Sequence, residues 1–240
     1  MKLYPSKINP IVTIVACMHG DELFGLEVIN YFKNNLDDFP GLQLVIANEE
    51  AIAQQKRFID VDLNRAFATS SRIHHEERLA AELLRAIQSS TYVLDIHNTT
   101  SDILMTPIVT SMNENVKHVF NLCASKEIAF IQKPLSDKSL IGQLSGGVSL
   151  EFGFEYAKTN DAIEEVDRIV KGLLSDQSQE KTAREIFCVD GVISKEIDIP
   201  KETKNFHLIE KLQVYPFLFG EQSYPTIHAM SASTKYIEVI

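Results

Sequence analysis

Ile11-Val12-Thr13-Ile14-Val15-Ala16-Cys17-Met18-His19-Gly20-Asp21-Glu22 decides how the rest of the chain is read. Residues 11–16 are β-branched and nearly continuous in apolar character, the composition of a strand buried on both faces. The run stops at His19-Gly20, and a helical pattern begins with Leu23, Leu26 and Ile29. His19 and Glu22, three positions apart at the mouth of a strand-to-helix turn, can close on one small cation. Strand ends in α/β sheets are where such sites are commonly built. The pair alone also has a plainer reading, because Asp21 and Glu22 would favour a helix N-terminus through its dipole.

Outward from this stretch the pattern alternates. A helix is expected over 21–35, a turn at Asp37-Asp38-Phe39-Pro40-Gly41, and a second buried strand over 42–47. Residues 51–57 are short and polar. Asp60-Val61-Asp62-Leu63-Asn64-Arg65-Ala66-Phe67 packs charge and amide among apolar groups, as a ligand-binding loop would. An amphipathic helix over 76–88 precedes a buried strand, 91–96, that ends at His97. Strands over 103–110 and 129–132 flank a helix over 115–125. A strand over 148–153 carries Glu151 among apolar neighbours, and 161–174 is again helical. This alternation argues for an α/β fold. The polar segment 175–181 marks a boundary between a main domain, 1–177, and a small β-rich C-terminal domain, 178–240. In the latter, 185–199, 212–219 and 236–240 look strand-like.

With 240 residues and 45% hydrophobic content, the chain can bury a full core. A formal charge of -10 with scattered Lys and Arg argues against nucleic acid and anionic membranes as partners. No apolar run reaches membrane-spanning length, and Met1-Lys2-Leu3-Tyr4-Pro5 lacks the apolar core of a signal peptide, so a cytoplasmic protein is expected. A homo-oligomer is compatible with the sequence, which sets no oligomeric state. Cys17, Cys123 and Cys188 lie far apart, without a Cys-x-x-Cys pair, and read as buried free thiols.

Three strand ends offer polar groups: His19 and Glu22 from the first, His97 from another, Glu151 on a third. Two imidazoles and one carboxylate form a set that leaves a fourth position on zinc open for water. Such histidines need an acceptor behind them, for which Asp62 and Asp95 are both candidates. Arg57 and Arg65, with Asn64, would supply fixed positive charge and amide donors suited to a carboxylate or a developing oxyanion. Burial of Glu151 would raise its pKa while a nearby cation lowers it, the compromise a general base requires. Judged alone, Glu151 reads more readily as a strand-edge ion pair than as a general base.

His19-Gly20-Asp21-Glu22, Asp62-Leu63-Asn64-Arg65-x-Phe67, Asp95-Ile96-His97-Asn98-Thr99-Thr100 and Leu150-Glu151-Phe152-Gly153 occur in this order. Together they resemble the aspartoacylase and succinylglutamate desuccinylase family, zinc hydrolases with a carboxypeptidase-like mixed β-sheet flanked by helices on both faces. Val214-Tyr215-Pro216 and Gly220-Glu221-Gln222-Ser223-Tyr224 extend the resemblance into the tail. It implies one Zn2+ held by His19, Glu22 and His97, with Glu151 as general base. Arg57 would polarise the scissile carbonyl, and Asn64 and Arg65 would hold the substrate carboxylate. Asp62 would back the first zinc histidine, which favours it over Asp95 there; Tyr224 would contact substrate and Glu221 would support its loop. The implied reaction is hydrolysis of a small N-acyl amino acid.

One departure bears on the substrate. Aspartoacylases acting on an N-acyl aspartate carry a further arginine shortly before the catalytic glutamate, but here none lies between Arg85 and Arg168. Lys133, Lys138 and Gln143 are the nearby polar groups, and N-acetylaspartate is expected to be at best a poor substrate. The short C-terminal part implies a more open channel. Alternatives are a metallocarboxypeptidase using the same groups and a non-catalytic metal-binding protein of this fold. His74-His75 read as a solvated helix start, and His118, His207 and His228 stand without partnering acids. Thr69-Ser70-Ser71 lacks the Gly-x-Ser-x-Gly setting of a nucleophile. Gly146-Gly147 reads as a turn before a strand.

Overall fold

A computed structural model describes residues 1–175 and 181–240. In chain order its elements are β1 (Lys2–Tyr4), β2 (Val12–Ala16), α1 (Phe24–Asn34), β3 (Leu42–Ile46), α2 (Glu49–Ala53), α3 (His75–Ile87), β4 (Tyr92–Thr99) and β5 (Met105–Val109). Then come α4 (Glu114–Leu122), β6 (Glu127–Ile131), β7 (Gly147–Gly153), α5 (Asn160–Ser175), β8 (Ala183–Ser194), β9 (Tyr215–Phe217) and β10 (Ile227–Val239). The strands form one mixed sheet in the order β1-β3-β2-β4-β7-β5-β6-β8-β10-β9.

The β-branched run becomes the centre of that sheet because both of its faces are covered. Ile14 and Ala16 pack with Phe24, Val28 and Phe32 of α1 and with Val166, Ile169 and Val170 of α5. Val15, on the alternate face, packs with Leu79, Leu83 and Ile87 of α3. Helices thus flank both faces, as the carboxypeptidase-like arrangement requires. β3, β2, β4 and β7 run parallel, which brings their C-terminal ends to one edge. β5 turns back antiparallel on β7, and β6 and β8 follow β5.

Four elements differ from the sequence expectation. β4 continues through Thr99, so His97 lies inside a strand, where it is paired with Glu151 of β7. β10 begins at Ile227, well before 236, and its first half, with Ser231, Ser233 and Thr234, lacks the apolar run that marks a buried strand. β1 and α2, of three and five residues, are too short for periodicity to register. The expected domain boundary at 177/178 lies outside the described residues. β8 pairs with β6 from Glu127↔Glu185 to Ile131↔Val189, which continues the main sheet into the C-terminal strands. No helix among the described residues is long and apolar enough to cross a membrane.

Candidate active site

β2 ends at Ala16, and Cys17 takes a left-handed backbone conformation, φ 56°. A side-chain-bearing residue there costs about 1–2 kcal/mol. The turn carries His19 and Glu22 over the strand ends. It is held from below by the Gly20 N–H, which donates to the Arg57 carbonyl at 3.0 Å. A Cβ on Gly20 would lie 2.3 Å from the Ala51 carbonyl carbon, so the close approach of the turn to α2 requires glycine.

Glu22 is the centre of the cluster. Its Oε1 lies 2.7 Å from His19 Nδ1 and accepts from the Arg57 guanidinium at 2.8 Å. Its Oε2 lies 2.8 Å from His97 Nδ1. Each imidazole is fixed from behind. His19 Nε2 contacts Asp62 Oδ1 at 3.1 Å, and His97 Nε2 contacts Asp95 Oδ2 at 2.9 Å. Both acids left open by the sequence are thus used, one on each histidine, and Ser149 Oγ donates to Asp95 from the neighbouring strand. Ring N–H groups given to Asp62 and Asp95 leave both Nδ1 lone pairs facing inward. His19, Glu22 and His97 are buried, and one ligand atom from each lies within 4.8 Å of the others, a donor set suited to a single divalent cation.

The charges respond to this enclosure. Burial opposes ionisation of Glu22, but His19 and His97 hold its carboxyl well below the usual range. Burial likewise opposes the Asp62 carboxylate, yet the His19 hydrogen bond and the Arg65 and Arg57 charges bring it down to about 2. Glu151 goes the other way. Burial, reinforced by Glu22 and Glu221 and opposed by His97, pushes its carboxyl up to about 8.

These groups line a cavity of about 550 Å³, together with Asn64, Arg65, Glu221 and Tyr224. Every residue singled out for binding or catalysis is therefore on one wall or another of a single space. Asp62 caps the helical turn Leu63–Arg65 by accepting from Asn64 N at 2.8 Å, and Asn64 Oδ1 accepts from Leu140 N at 3.0 Å. Arg65 donates to the Asn64 carbonyl at 2.8 Å. Glu221 clips the C-terminal loop to the end of β4. It accepts from Thr100 N at 2.8 Å, from the Thr99 hydroxyl, and from Ser223 N at 2.7 Å.

Sequence reasoning missed Glu76, a fully buried carboxylate in the first turn of α3. It accepts from the backbone N–H groups of Ile59, Asp60 and Val61 at 2.7, 3.0 and 3.1 Å, and from Asn48 Nδ2 at 3.1 Å. An acid at a helix start looks ordinary in sequence, and nothing local signals that it organises the loop between Arg57 and Asp62. Of the two histidines read as a solvated helix start, His74 is exposed and its backbone N–H donates to Glu77, whereas His75 is half-buried with its Nδ1 3.3 Å from Glu50 Oε2. His228 packs against the Phe219 ring rather than lining the cavity.

Comparison with known proteins follows the same lines. Residues 9–175 match the family model for the succinylglutamate desuccinylase/aspartoacylase catalytic domain. A probable aspartoacylase of Acaryochloris marina is 32% identical over 124 residues, covering 46% of this chain and 40% of that protein. Aspartoacylase of Danio rerio is 31% identical over 142 residues, covering 52% and 43%. The matched segments thus span less than half of these curated relatives. The structure of murine aminoacylase 3 superposes with a TM-score of 0.75 at 18% identity, covering 98% of each chain, a likeness of fold.

Proposed function

Since the chain belongs to the succinylglutamate desuccinylase/aspartoacylase family, we propose that it is a zinc-dependent amidohydrolase that deacylates a small N-acyl amino acid. The observation that supports this most is the convergence of His19, Glu22 and His97 with Glu151 and Arg57 in one buried cavity. The residues present fit the metal: two inward Nδ1 atoms, one carboxylate between them, and a carboxylate behind each ring. When bound, zinc would supply an acidified water and polarise the amide carbonyl.

The rest is the work of the side chains. Glu151 takes the proton of the attacking water and delivers it to the leaving amine. Its place beside His97 in the sheet puts it on the same face as the metal ligands. A carboxyl that burial disposes to carry a proton, and that a nearby cation would return to the charged form, suits both halves of that transfer. Arg57 provides a fixed guanidinium at the cluster to stabilise the developing oxyanion. Asn64 and Arg65 hold the substrate carboxylate, with Tyr224 contacting the substrate body and Glu221 holding the Tyr224 loop on Thr99 and Thr100.

Glu151→Gln keeps the shape and removes the proton acceptor. Amine release should fall about 10²–10⁴-fold, the usual contribution of a general base, with zinc content by atomic emission unchanged. Loss of zinc together with activity would make Glu151 a ligand and overturn this assignment.

A further inference from the structure

The cavity changes character with distance from the metal ligands. Its floor is the sheet face that carries His97 and Glu151. On β5 the residues opposite Glu151 and Ser149 are Thr106 and Ile108. Ile108 pairs in turn with Ala129 of β6, and Ile131, two positions on, occupies the same face. With strands about 4.8 Å apart, the floor is apolar within two strands of the general base. Leu135, Ile141 and Met230 complete that end.

Charge is absent there. Arg57 and Arg65 are the only Lys or Arg among the described residues lining the cavity, and both lie at its polar end. The polar groups that sequence offered in place of a second arginine face away. Lys133 is exposed and pairs with Asp137 at 3.4 Å, Lys138 is exposed, and Gln143 donates to the Asp137 carbonyl at 2.7 Å. Three hydroxyls lining the cavity around this end are already engaged. Thr110 donates to the Ile141 carbonyl, Ser139 to the Ser136 carbonyl and Ser149 to Asp95. A second carboxylate entering this space would lose its water without gaining a charged partner.

We propose that the substrate carries a single carboxylate, held at Arg65, and an uncharged apolar body seated on Ile108, Ile131, Leu135, Ile141 and Met230. This specificity rests on the deacylase reading of the same cavity. The apolar body is either the amino-acid side chain or the acyl chain, since both branch from the amide held between the two ends.

Binding calorimetry separates this proposal from the reaction itself. Affinities of the metal-free protein are measured for N-acetyl-L-leucine, N-acetyl-L-phenylalanine, N-octanoylglycine and N-acetyl-L-aspartate. At least one apolar ligand should bind tighter than N-acetyl-L-aspartate by about tenfold or more, the discrimination a few buried carbons provide. The leucine and phenylalanine compounds report an apolar amino acid, and the octanoyl compound an apolar acyl group. Ile131→Arg, or Leu135→Arg should the first not fold, puts a cation on that wall and should shift the ratio toward N-acetyl-L-aspartate by about tenfold, as a charged pair in a desolvated pocket does. N-acetyl-L-aspartate binding as tightly as the apolar ligands, no binding of any apolar ligand, or a ratio unmoved by both variants overturns the proposal. Amine release from the same panel by zinc-loaded protein is scored separately. The apolar preference without release from any compound would contradict the deacylase reading and leave the specificity intact.

Discussion

Glu22 lies between two imidazoles, and each imidazole is pinned on its far side by an acid of its own, Asp62 behind His19 and Asp95 behind His97. That arrangement fixes ring orientation and tautomer together, which is why partners behind a ligating histidine typically tune metal affinity by about 10–100-fold. Asp95→Ala should therefore weaken zinc binding by about that factor, measured by competition with a chromophoric chelator; an unchanged affinity would show that the contact does not orient His97. The spacing of His19 and Glu22 was legible in sequence because a three-residue interval within one turn is a local feature. The pairing of Asp95 with His97 was open to parity reasoning along one strand, whereas Asp62 reaches His19 across 43 positions, which no local pattern encodes. The cysteines make a separate case at this scale. Cys17, Cys123 and Cys188 are buried, and burial pushes the Cys123 thiol up to about 12. Native protein at pH 8 should give almost no reaction with a thiol reagent and three equivalents in denaturant, from the three cysteines of the chain. Rapid labelling of the native protein would contradict their burial.

Among the elements, the loop between Arg57 and Arg65 has little regular structure of its own, and its shape is set from α3. Three successive backbone N–H groups turn onto the Glu76 carboxylate. Burial disfavours that charge, but the N–H groups of Ile59, Val61 and Asp60 and the Asn48 amide outweigh it and hold the carboxyl below its usual range. A depressed folded-state pKa contributes stability that is complete above the unfolded value and is lost as pH falls through the folded one. Glu76→Gln leaves some of these donors without an acceptor and should cost about 1–3 kcal/mol at pH 7. In urea melts that difference should narrow progressively as the pH falls below about 4.3, the ordinary glutamate value, because the unfolded chain then takes up a proton that the folded carboxyl still resists. A difference that stays constant down to pH 3 would place the effect elsewhere. Elements with continuous apolar runs or clear helical spacing, such as β2, β3, α3 and α5, were readable in advance. β10 was read only at its end, because its first half is built of small and hydroxylated residues whose place in the sheet is set by pairing with β8.

At the scale of the molecule, the cavity is assembled from both ends of the chain. Parallel strands near the N-terminus bring His19, Glu22 and His97 together, β7 adds Glu151, and the segment around Glu221 and Tyr224 closes over them from the C-terminal part. The order of motifs made the family legible, and with it the mixed sheet and the two helical layers. The strand order, the length of β4 and the apolar end of the cavity were not, because each depends on contacts between strands remote in sequence. The claim on which the rest depends is that the His19, Glu22 and His97 cluster holds a zinc ion needed for amide hydrolysis. It is tested most directly by amine release from N-acetyl-L-leucine and N-octanoylglycine before chelation, after chelation, and after return of one equivalent of zinc. Release that is lost with the metal and restored with it, and that His19→Ala does not recover, is the predicted result. Release that survives complete removal of the metal, or that His19→Ala retains in full, would contradict the account.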